Sequence, residues 1–216
     1  MARGILVIGE SGSGKTTSLR TLDPKSTYIF DCDRKGLSWR GWKKQYNREN
    51  GNYMRTSEVP RIWEEIKIIN ERDKRIKTIV IDTLNGIMID DEFRRMREKN
   101  YDKWMDMAAS IYKLVSIIGE LRDDLTVICM AHSQTDHDEN GYMYTRMKTS
   151  GRKLDKIVVE SKFTTVLLAK GDKGKYSFLT HADHSTTKTP LGLFDEDEIP
   201  NDMALVIKAL DKYEED

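Results

Sequence analysis

Ile5-Leu6-Val7-Ile8-Gly9-Glu10-Ser11-Gly12-Ser13-Gly14-Lys15-Thr16-Thr17 is the stretch that decides the fold. Its four apolar residues stop at Gly9, which opens a run of one glycine, four residues and then Gly-Lys-Thr. That is the spacing of a phosphate-binding loop, in the setting the motif requires between a strand and a helix. Glycines let the backbone wrap a polyphosphate with its N–H groups facing inward, and the following helix presents its positive end. Gly9 to Thr17 is therefore the expected nucleotide cradle. In it Lys15 reaches the β- and γ-phosphates of ATP, and Thr16 offers a hydroxyl to Mg²⁺.

Outward from the loop, 216 residues suit an α/β domain with a sizeable core. Lys plus Arg and Asp plus Glu each number 36, so the formal charge is zero, but the balance is not uniform. Arg34 to Arg55 holds seven bases and one acid, Glu49, whereas acids dominate from Asp195 onward. A basic face for nucleic acid beside an acidic tail is compatible with that total. Cys32 and Cys129 lie in apolar runs and read as small buried hydrophobes, and no Cys/His cluster has zinc spacing. No apolar run approaches the length of a membrane helix, so the expectation is a cytoplasmic protein with no membrane partner.

The periodicity predicts strands at 5–8, 27–30, 78–81 and 125–131, each followed by polar residues at its tip. Helices are predicted at 15–22, from Val59, at 84–100, at 104–121 and at 200–213. Three segments stand apart: a basic aromatic excursion over about 36–56, a polar stretch over 135–151, and a hairpin whose turn is Lys170-Gly171-Asp172-Lys173-Gly174-Lys175. A loop as long as the second either has a function or pairs as a hairpin.

The chemistry needs a second anchor for the metal, and Ile79-Val80-Ile81-Asp82 supplies the usual form, a buried strand ending in a carboxylate. Hydrolysis also needs a group that orients or deprotonates water. Asp33 is the preferred base, and His132 and Gln134 at the tip of another strand are the candidates for sensing the γ-phosphate; Glu10 reads as a loop-side residue. Basic residues beside aromatic rings suit single-stranded DNA, through Arg40, Lys43 and Lys44 in the excursion and Arg146, Lys148, Arg152 and Lys153 near the polar loop. Solvated charge and packed tryptophans are the plainer reading of the same residues.

In this order the pieces resemble the RecA-like recombinase core, and in particular the small phage ATPases of the single-strand annealing class, also described as phage nucleotide-binding AAA proteins. The matching pieces are Gly9 to Thr17, Ile29 to Asp33, Ile79 to Thr83 and Val127 to Gln134, with Gly36-Leu37-Ser38-Trp39 and Ile199-Pro200-Asn201-Asp202 as weaker matches. The resemblance implies a RecA-like three-layer α/β sandwich on a mostly parallel sheet, with the catalytic carboxylate on Asp33, the magnesium-associated carboxylate on Asp82 and the nucleotide sensor on Gln134 or His132. It further implies single-stranded DNA as partner, a phage protein in the host cytoplasm, and homo-oligomers formed with nucleotide or DNA. In these, Lys170, Lys173 or Lys175 would reach a neighbour's ATP. Asp33 is one methylene shorter than the recombinase glutamate. The first strand begins at Ile5, without the recombinase polymerisation segment, so stable filaments are not expected. Two other function classes use the same loop: a nucleoside or small-molecule phosphotransferase with Arg146 on a lid, and a nucleotide-gated assembly or replication protein.

Overall fold

The computed structural model describes residues 1–99, 102–137, 141–149 and 158–215. The chain runs β1 (Arg3–Gly9), a 3-10 helix (Thr16–Thr21), β2 (Thr27–Asp31), α1 (Trp42–Gln45), β3 (Tyr53–Arg55), α2 (Val59–Glu71), β4 (Thr78–Asp82) and α3 (Leu84–Arg94). It continues through α4 (Asp102–Ser116), β5 (Thr126–His137), β6 (Met143–Met147), β7 (Thr165–Asp172), β8 (Lys175–Leu179), β9 (Glu198–Pro200) and α5 (Met203–Glu215). Among the described residues the sheet has nine strands in the order β3-β2-β4-β5-β1-β7-β8-β9, with β6 paired to β5. From β3 to β7 every neighbour along that order is parallel, and β8, β9 and β6 join antiparallel.

Strand alternation divides the apolar residues between two cores, one on each face. Leu6, Ile8, Ile79, Ile81, Val127 and Cys129 face one core, beneath α2, α3 and α4. Ile5, Val7, Val80, Ile128 and Met130 face the other, which Leu19, Leu37 and Tyr46 join with Met203, Val206 and Leu210 of α5. The result is a three-layer α/β sandwich. On α2, Pro60 in the first turn is tolerated because its missing N–H has no partner to lose there. Ile62, Ile66 and Ile69 then fall on one buried stripe, each contributing roughly 2 kcal/mol of burial. Both cysteines are free and buried.

Several boundaries differ from the sequence expectation. The segment after the phosphate loop is 3-10, where an α-helix over 15–22 was expected. The Ser18 hydroxyl and the Arg20 guanidinium each donate to a carbonyl three residues back, which suits that tighter winding. The helix expected over 84–100 stops at Arg94, because beyond Met88 it has no face to bury: Phe93 and Met96 are both 67% exposed. Among the described residues, most of the polar stretch from Thr135 belongs to the paired strands β5 and β6. Pro200 closes β9, and the last helix begins at Met203.

Candidate active site

The parallel strands point their C-terminal tips to one edge, where such sheets place their ligand sites. Gly9 at the tip of β1 lies in register with His132 on β5, and Asp31 on β2 with Asp82 on β4. β5 stands between the loop strand and the Asp82 strand, so its tip borders the space they share.

Lys15 is 6% exposed and folds back over the loop, its Nζ donating to the Gly9 carbonyl at 2.7 Å and the Glu10 carbonyl at 2.8 Å. Burial lowers its pKa to about 8; Asp82 opposes that fall and Lys35 adds to it. Ser13 and Gly14 are buried, whereas Glu10, Ser11 and Gly12 face solvent. Gly14 has φ +92°, and a Cβ there would lie 2.8 Å from the Tyr176 ring, so both backbone and space require glycine. Because the helix after the loop is short and 3-10, loop N–H groups are the main welcome for an anion. Thr17 meets the Ser38 hydroxyl of the excursion at 2.9 Å.

The metal candidates meet directly. Thr16 donates its hydroxyl to Asp82 Oδ2 at 2.7 Å. Asp82 is 1% exposed and its Oδ1 is buried without a partner. Burial raises its pKa, against the pull of Lys35 and of the Thr16 hydrogen bond. An unsatisfied carboxylate oxygen beside a threonine hydroxyl, under a phosphate loop, fits the hard oxygen chemistry of Mg²⁺. Thr16 and Asp82 are the residues that would hold it.

Asp33 stands next to this pair. Its Oδ1 accepts from the Thr83 hydroxyl at 2.9 Å and its Oδ2 from Lys35 Nζ at 2.5 Å. Thr83 also caps α3, accepting from Gly86 N at 3.1 Å. Gly86 has no room for a side chain: a Cβ would press on Asp33 Oδ1 and sit 2.9 Å from the Cys32 carbonyl. Asp31 goes elsewhere, its Oδ2 accepting from Gly36 N at 2.8 Å and the Tyr53 hydroxyl at 2.6 Å.

His132 is half-buried at the tip, and desolvation with nearby Lys15 lowers its pKa, so the neutral ring prevails at pH 7. Its backbone is clamped: His132 N donates to Asn85 Oδ1 at 2.7 Å, Lys148 N donates to the His132 carbonyl at 2.7 Å, and Asn85 Nδ2 donates to the Lys148 carbonyl at 2.9 Å. Gln134 sits further out on the hairpin, donating to Asp136 at 2.9 Å, and Arg146 pairs with the same carboxylate. Lys148 is exposed, and Arg152 and Lys153 lie outside the described residues.

Arg40, Lys43 and Lys44 are exposed, and of the three Lys43 lines a groove of about 990 Å³ beside β3, together with Trp42, Tyr53 and Arg55 among others. Lys170, Lys173 and Lys175 are exposed on the β7–β8 hairpin, which packs against the loop of its own chain through Tyr176 and Gly171.

A family model described as an AAA domain matches residues 1–190, spanning the loop, Asp33, Asp82 and His132. The chain belongs to this AAA domain family. The AAA domain assignment and the sheet agree on an α/β P-loop NTPase fold, and the family assignment suggests a nucleotide-binding ATPase type of domain. Among curated proteins, none matches. Among the described residues, no helix of this AAA domain protein is long and apolar enough to cross a membrane.

Sequence reasoning brought Lys15, Thr16, Asp82, Asp33 and His132 to one sheet edge, and the structure brings them together there. It missed Lys35, Thr83, Asn85 and Tyr176. Thr83 carried a legible signal as a capping residue directly after the strand. Lys35 was absorbed into the basic run, and Asn85 and Tyr176 matter only through contacts distant in sequence.

Proposed function

We propose that this AAA domain protein binds ATP with Mg²⁺ and hydrolyses it in a cycle coupled to single-stranded DNA, in annealing or recombination. One observation carries the coupling: β5 runs without a break from His132, in register with Gly9, into the hairpin bearing Arg146 and Lys148. The Asn85 carboxamide locks both hairpin strands to the helix that follows Asp82. A change at the nucleotide edge thus has a continuous hydrogen-bonded path to the hairpin, beside which Lys148 is exposed.

Within the site, Lys15 leaves its two carbonyls to meet the β- and γ-phosphates, and the loop N–H groups surround them. Mg²⁺, held by Thr16 and Asp82, would neutralise charge between the phosphate oxygens. Asp33, fixed by Thr83, orients the attacking water, and neutral His132 offers a hydrogen bond toward the γ-phosphate. The exposed lysines 170, 173 and 175 suit a nucleotide-dependent homo-oligomer in which a neighbour's site is approached.

The test is an ATPase titration with and without single-stranded DNA. Turnover should be slow alone and rise several-fold with single-stranded DNA, the effect fading as salt increases. Phosphate transfer to a nucleoside, or turnover indifferent to DNA, would refute the DNA-coupled reading.

A further inference from the structure

Lys35 is the site residue whose position needs explaining. The turn that carries it is costly: Arg34 adopts φ +57°, a left-handed conformation that a residue with a Cβ pays roughly 1 kcal/mol to hold. The turn is nailed down by the buried Asp31 carboxylate, which accepts from Gly36 N at 2.8 Å and from the Tyr53 hydroxyl. Arg34 itself is secured outward, its guanidinium donating to the Ser57 hydroxyl at 3.0 Å and lying 3.3 Å from Asp90. Neighbouring contacts therefore hold a strained turn whose effect is to curl Lys35 back over the strand tips.

There the ammonium meets Asp33 Oδ2 at 2.5 Å, with 48% of the Lys35 side chain still exposed and 17% of Asp33. Its field reaches Lys15, Asp82 and His132 as well. A surface ion pair alone would not justify the strain, since such pairs contribute little. A half-exposed cation paired with Asp33 and held over the strand tips beside the phosphate loop has a use that a surface pair lacks.

Resting on the ATP reading, we propose that Lys35 is a γ-phosphate-reading cation supplied by the chain to its own site. Without nucleotide it pairs with the Asp33 carboxylate. With a triphosphate bound, the ammonium turns from Asp33 to the γ-phosphate oxygens and frees Asp33 to engage water. A diphosphate offers no such partner, so Lys35 stays on Asp33. Triphosphate over diphosphate preference is then a property of the single subunit.

Isothermal titration of the full chain with Mg-ADP and with a Mg-bound non-hydrolysable ATP analogue tests this in wild type, Lys35→Met, Lys35→Gln and Lys35→Arg. The expected result is a loss of triphosphate affinity of roughly 10- to 100-fold in Lys35→Met and Lys35→Gln, with diphosphate affinity unchanged and Lys35→Arg close to wild type. Equal weakening of both ligands in the variants, or no change in either, overturns the inference and leaves the ATP reading standing. So does a wild type that binds both without preference. If the wild type binds neither, the ATP reading itself fails. A cooperative thermal transition identifies folded variants, and the Arg and Gln forms serve should Lys35→Met not fold.

Discussion

Lys15 is an ammonium that its surroundings press to lose a proton and that its ligand would press to keep it. Burial lowers its pKa to about 8, so between about 8 and the ordinary 10.5 the native chain binds fewer protons than the unfolded one. Folding stability from this group therefore rises with pH across that window. Nucleotide binding has the opposite sign, because phosphate oxygens favour the charged lysine. ATP affinity should be level below pH 7 and fall as pH passes 8, approaching about tenfold per unit, with proton uptake seen as a buffer-dependent binding enthalpy. An affinity flat to pH 10 would mean that Lys15 is not the phosphate ligand. Asp82 is the complementary case: burial penalises its charge, and Thr16 and Lys35 hold part of that penalty back.

At the scale of elements, the turn from β4 into α3 fixes Asp33, the carboxylate proposed to orient water. Thr83 caps the helix and holds Asp33, while Gly86 admits Asp33 against the first turn. Gly86→Ala is expected to cost about 1–3 kcal/mol of stability, read from denaturant midpoints, and to slow turnover far more than it weakens ATP binding. Equal loss of both would place the damage in the cradle instead. Much of this element was legible in advance. The run Ile79 to Asp82 announced a buried strand with a carboxylate tip, and Met107, Ile111 and Leu114 announced a covering helix, since strand and helix periods are written locally. What was not legible depends on pairing partners. No local pattern says that Thr135 continues β5, that Tyr53 to Arg55 adds an edge strand, or that Asn85 clamps His132 to Lys148. Gln134 looked like a sensor from its place at the strand tip and from the family resemblance, yet its amide donates to Asp136 once the hairpin forms.

For the whole molecule, two routes leave the sheet edge that carries the phosphate loop: β5 into the hairpin beside exposed Lys148, and the Thr17 to Ser38 hydroxyl contact into the excursion that carries Lys43 and Lys44. If single-stranded DNA lies along the excursion, Lys43→Ala with Lys44→Ala should weaken binding without base preference and reduce the salt slope by about 1.4, near 0.7 per phosphate contact. An unchanged slope would move the DNA to the hairpin or off the protein.

Beneath all of this lies the pairing of Thr16 and Asp82 under the phosphate loop. Calorimetric titration of ATP with and without Mg²⁺, in wild type and in Asp82→Asn, measures it directly. Mg²⁺ is expected to tighten ATP binding at least about tenfold in the wild type and to lose that effect in Asp82→Asn, while metal-free ATP still binds both. A wild type that does not bind ATP, or a magnesium effect that survives intact in Asp82→Asn, would contradict the account.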